Sequence, residues 1–180
     1  MANAVSGRAS SGPTTGTFGA VGVDLRERDL ARALARALPV AVRAKERWWT
    51  QRLGRLGRVR FQVVLSESGA IRNTRWLEPR GNEANEALVQ RVVQLLRAGR
   101  FALPKSQTEA EQTEAFELVL RLEAVIPSDD PLAESGSIVE MGYEAPSQGR
   151  PGRAFLREAG GRMLVGQLTR LEFPGVDVSR

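Results

Sequence analysis

Glu109, Glu111 and Glu114 are the residues of this 180-residue chain whose type and spacing come nearest to a hydrolytic site. Paired carboxylates can share acid and base work when their environments keep one protonated and the other ionised. These three sit in the polar run "KSQTEAEQTE", where solvated acids are the rule. The groups that usually run such chemistry are missing, because the sequence contains no histidine and no cysteine. That removes the commonest general base, the commonest metal ligand, and every thiolate site or disulfide. "GAVGVD" near the N-terminus has a glycine pair, but no phosphate-loop lysine follows it. The reading is a non-enzyme with no catalytic residue, no metal and no cofactor.

Charge offers a second kind of chemistry. The formal net charge is +5, and Lys45 and Lys105 are the only lysines, so arginine carries the positive charge. From Arg26 to Arg60 there are eleven positive residues and three acids; from Glu109 to Asp130 there are seven acids and one arginine. A cluster such as Arg32, Arg36 and Arg43 could contact phosphates, and Trp48, Trp49 and Trp76 could stack on bases. No helix-turn-helix, RNP-like or zinc-ligand pattern accompanies them, so a nucleic-acid partner is the alternative rather than the first choice. The bland use of the tryptophans is to anchor a core.

The elements that must position these residues are legible in the apolar spacing. Residues 1–22 are mostly Gly, Ser, Thr and Ala and read as a flexible leader. An arginine-rich helical segment fills 23–53. Asp24 and Glu27 suit a capping box, and Leu30, Leu34, Leu38 and Ala41 form a stripe that Pro39 kinks or ends. In "GRVRFQVVLSESGAIRNTRW", Val59, Phe61, Val63 and Leu65 alternate with Arg58, Arg60, Gln62 and Val64, then "SESG" turns the chain. Ile71 and Trp76 share a face only if the return strand carries an extra residue near Asn73.

Asn82 suits a helix N-cap, Ala84, Leu88, Val92, Leu95 and Leu96 make a second stripe, and Gly99 stops it. "EAFELVLRLEAV" is a long strand with Phe116, Leu118, Leu120 and Leu122 on its buried face. The segment 127–180 is a Pro/Gly-rich linker with one short strand at Ser137 to Tyr143. It ends in "RAFLREAGGRMLVGQLTRLEF", a hairpin turning at Gly160 and Gly161 that is either an appendage or an added edge. The fold class expected is α+β: a small antiparallel sheet in β-β-α-β order with one packed helix. An N-terminal helix precedes it and a hairpin extension follows.

The ordered set "GRVRFQVVLSESGAI", "IRNTRW", "NEALVQRVVQLLRAGRF", "FALP" and "EAFELVLRL" resembles the C-terminal domain of the TonB family of energy transducers, and more loosely that of TolA. The resemblance covers residues 54–126. It implies a non-enzymatic module of the bacterial periplasm or cell envelope. Such a module binds an extended peptide from an outer-membrane or envelope partner by edge-strand pairing, in energy transduction or transport across the outer membrane. An envelope scaffold or a motility or secretion component is the variant reading, and a homodimer is left open. If the resemblance misleads, the setting is cytoplasmic.

No apolar run reaches the roughly 20 residues of a membrane span, and the N-terminus lacks an apolar signal core, so an anchor or export signal is expected outside this chain. By the resemblance and the edge-strand argument, the working edge is the strand Phe116 to Val125. It presents Glu117, Val119, Arg121 and Glu123 outward.

Overall fold

The computed structural model describes residues 29–43, 48–78, 83–103, 112–134, 136–146 and 150–171. In chain order the elements are α1 (Leu30–Arg43), β1 (Gly54–Leu65), β2 (Ile71–Trp76) and α2 (Glu83–Leu96). Then come β3 (Gln112–Ala124), β4 (Ile138–Glu144), β5 (Gly152–Glu158) and β6 (Arg162–Leu171). The leader 1–22, the Asp24–Glu27 cap, Asn82, Glu109 and Glu111 lie outside the described residues.

The fold is larger than the expected four-element core. All six strands form one antiparallel sheet in the order β2-β1-β3-β6-β5-β4. This corrects the small β-β-α-β sheet with one packed helix: among the described residues there are two packed helices, and the C-terminal strands β4, β5 and β6 make half of the sheet. The physical reason lies in α1. Its apolar side, with Leu30, Leu34, Leu38 and Ala41 all buried, needs a sheet surface of its own. α2 lies over β1 and β2, while α1 lies against α2 and over β4, β5 and β6. Without the added strands α1 would have α2 beside it and no sheet surface to cover.

Strand alternation sorts the residues cleanly. On the helix side lie Phe61 and Val63 of β1, Phe116, Leu118, Leu120 and Leu122 of β3, Leu156 of β5, and Leu164 and Leu168 of β6, all fully buried. Gly166 of β6 faces the same way, and a Cβ there would touch Leu118, Leu120 and Leu38 of α1. One core therefore joins both helices to the whole sheet. The other sheet face bears no helix among the described residues.

Local chemistry explains the element ends. α1 is capped by Asp29, whose carboxylate accepts the Arg32 N–H at 2.8 Å. Pro39 sits inside α1 and does not end it. The extra residue in β2 is Arg72: Val64 pairs with Asn73 and Leu65 with Ile71, which returns Ile71 to the side of Trp76. Gly69 turns the β1–β2 hairpin at φ 74°. A Cβ there would sit 2.2 Å from the Phe101 carbonyl oxygen, so the turn and the chain leaving α2 fit only around a glycine.

Candidate binding edges

The four residues expected to line a free edge do not. β3 is an interior strand, hydrogen-bonded to β1 on one side and β6 on the other. Glu117 stands between Arg60 and Thr169, Val119 between Arg58 and Gln167, Arg121 between Arg55 and Val165, and Glu123 opposite Met163. Their side chains do lie on the helix-free face, as expected. Their backbone groups are spent within the sheet. The correction has a simple cause: the Ala154 to Phe173 segment supplies β6, which pairs with β3 from Ala115 to Ala124.

That open face is a lattice of opposite charges. Arg60 donates from Nε to Glu117 at 2.6 Å and reaches Glu78 at 3.0 Å; Arg58 lies 3.5 Å from Glu78. The hydrogen bond to Glu117, with that carboxylate's charge, pushes the Arg60 pKa up from an already high value. The fold also divides the arginine cluster. Arg32 and Arg36 are exposed on α1, on one side of the sheet, while Arg58 and Arg60 lie on the other. Trp48 is in the core, and Trp76 packs edge-on to Phe61 with centroids 6.4 Å apart. The three indoles do not form one stacking platform.

Glu114, the described member of the acidic trio, heads β3. Its carboxylate lies 3.0 Å from Arg170, which also holds Asp29 at 3.0 Å. Burial pushes the Glu114 pKa up, opposed by the Arg170 charge. Among the described residues no group of three or more acids is placed to hold a metal ion.

Two strands end the sheet, and they differ. β2 is short, carries the extra residue at Arg72, and exposes Arg72, Asn73 and Arg75. A groove of about 240 Å³ separates it from α2, with Gln90, Gln94 and Arg97 along the helix side. β4 exposes Val139, Met141 and Tyr143 at 39, 46 and 41 %. Among the described residues it pairs only with β5, so its outer backbone groups face away from the sheet.

β4 is held in place by features that the sequence did not announce. Gly142 lies against the Phe155 ring of β5; a Cβ there would come within 2.7 Å of it. Glu140 pairs with Arg157 at 3.6 Å. The Glu158 carboxylate, 3 % exposed, accepts the Gly136 N–H at 3.0 Å and the Gly160 N–H at 2.7 Å. One buried acid thus ties the entry of β4 to the β5–β6 turn. On the helix side, the Arg36 guanidinium of α1 sits 6.0 Å from the Tyr143 ring centre. Val40, one turn further along α1, is 40 % exposed. An acid at the end of a strand pattern is the only sequence signal that could have pointed to Glu158.

Comparison with family models, with curated proteins and with solved structures found no match to the chain. No described helix is long and apolar enough to cross a membrane.

Proposed function

We propose that this chain is a non-enzymatic protein-binding module that accepts an extended segment of a partner by strand addition, and that the accepting edge is β4. The observation that carries this reading is the outer side of β4, which has no strand against it among the described residues and three exposed apolar side chains. An edge of this kind offers a row of N–H and C=O groups for pairing. Backbone bonds supply affinity, and side chains at alternate positions supply selectivity. A sequence without histidine or cysteine suits that task, which needs no catalytic group.

The cell-envelope setting, with a role in energy transduction or transport across the outer membrane, rests on the resemblance of residues 54–126 to TonB-type C-terminal domains. The reading moves the working strand from β3 to β4 and keeps the mode of binding.

The test is selection of peptides from a random displayed library on the immobilised chain. Selected peptides are expected to bind the native chain, to lose binding to Met141→Pro, and to keep it for Thr74→Pro, whose N–H turns away from β1 to the Asn73 side chain. Proline removes one backbone donor and is tolerated on an edge strand, so both variants should fold. Peptides that bind Met141→Pro as well as the native chain would remove β4 from the account.

A further inference from the structure

We infer that the occupant of β4 in the absence of another partner is a second copy of this chain, paired antiparallel through Met141; the inference rests on β4 being a strand-accepting edge.

Exposed apolar residues gather here. Of the eight large apolar side chains exposed among the described residues, Val139, Met141 and Tyr143 are on β4. A fourth, Val40, is one helical turn from Arg36, which itself covers Tyr143. Three exposed apolar side chains on one edge, with Val40 nearby on the helix, make a patch that water solvates poorly.

The strand's own sequence then selects the occupant and the register. Antiparallel pairing of two identical edges places a two-fold axis perpendicular to the sheet, so residues that meet lie on the same face. Centred on Glu140, the two copies oppose Glu140 to Glu140. Centred on Gly142, they oppose Glu140 to Glu144 twice. Like charges directly opposite are destabilising. Centred on Tyr143, Glu140 falls against Pro146, which has no N–H to give.

Centred on Met141, no acid meets an acid. Met141 faces Met141, Glu140 faces Gly142, Val139 faces Tyr143 and Ile138 faces Glu144. All seven residues of β4 are used. The irregularity in β4 between Ile138 and Glu140 falls outside the three central pairs. Both α1 helices end on the same side of the joined sheet, each bringing its Val40 and Arg36 toward the seam. The contact is small, so the dimer is a weak one that a better-matched partner strand displaces.

Sedimentation equilibrium on the full chain tests this. The native chain is expected to be dimeric at roughly 100 µM and monomeric below roughly 1 µM, as a micromolar-range contact requires. Met141→Lys and Met141→Glu each place like charges across the two-fold axis. Each alone is expected to stay monomeric at the higher concentration, with an unchanged circular dichroism spectrum because residue 141 lies on an exposed edge. Mixed in equal amounts, they should recover a heterodimer, because lysine then faces glutamate.

A native chain that stays monomeric overturns the inference, as does a dimer indifferent to Met141→Lys. Failure of the mixture to recover overturns the Met141-centred pairing. Peptide capture at β4 by a chain that never dimerises removes the second copy and leaves strand addition standing. Dimerisation with no peptide capture at β4 supports the second copy and counts against the hetero-partner reading.

Discussion

The two edges of the sheet are made of the same backbone and treated in opposite ways. β2 is short, bulged at Arg72 and lined with Arg72, Asn73 and Arg75. Charge and a bulge are the means by which sheets keep stray strands off an edge. β4 also carries an irregularity, near Val139, but it presents Val139, Met141 and Tyr143 where β2 presents arginine. The lesson is that an unpaired edge is not by itself a binding site. What distinguishes a receptive edge is the side chains that a new strand would have to lie beside.

The largest expected effect separates edges from interior. Val119→Pro removes a ladder donor from a strand bonded on both sides, and the chain is expected not to fold. Met141→Pro on β4 is expected to fold and to lose association. A cooperative unfolding transition for Val119→Pro, read by circular dichroism, would mean that β3 is not interior.

Next in size are the contacts beneath the sheet. Leu120→Ala and Leu164→Ala each empty a fully buried site shared with the helices and should cost about 2–5 kcal/mol in chemical denaturation. Leu164 discriminates between architectures, since it belongs to the C-terminal hairpin. A loss there as large as at Leu120 is expected from one continuous core, and no loss would mean that the hairpin is an appendage.

Glu158→Ala sharpens the comparison between the edges. It leaves the Gly136 and Gly160 N–H groups without their carboxylate partner. Loss of hydrogen bonds to a charged group is worth about 1.5–3 kcal/mol. Amide exchange should speed up at residues 136–144 and stay unchanged in β2. Uniform acceleration across both edges would deny Glu158 a local role.

These effects bear on what the sequence could reveal. The β1–β2 hairpin, its extra residue beside Asn73, the α2 stripe and the β5–β6 turn all follow from local periodicity and turn residues. The position of the β5–β6 hairpin does not. Pairing β6 to β3 is a contact between Ala115 and Leu171, far apart in the chain, and period-two alternation is the same for an edge strand and an interior one. Glu117, Arg121 and Glu123 therefore read correctly as a helix-free face and wrongly as a free edge. Asp29 caps α1 one residue before its apolar side begins at Leu30, and the Asp24–Glu27 pattern lies outside the described residues. The role of Glu158 was not legible because one of its partners, the Gly136 N–H, lies 22 residues away at the entry of β4.

The smallest effect concerns pH. Burial raises the Glu114 pKa above its ordinary 4.5, so the folded chain holds that proton more tightly than the unfolded chain does. Its favourable contribution is complete below the unfolded value and fades as pH rises through the raised one. Glu114→Gln should therefore gain stability relative to the native chain as pH rises from below 4.5 through the raised value, as its neutral amide does not titrate. A difference that does not change with pH, or that runs the other way, would show the Arg170 contact outweighing burial.

The most direct measurement is residue-resolved amide exchange on the native chain across the concentration range in which it associates. The account predicts that amides of Ile138–Glu144 gain protection as concentration rises, while those of Ile71–Trp76 exchange at an unchanged rate. Protection that appears on β2, or association that leaves both edges exchanging as before, would contradict it.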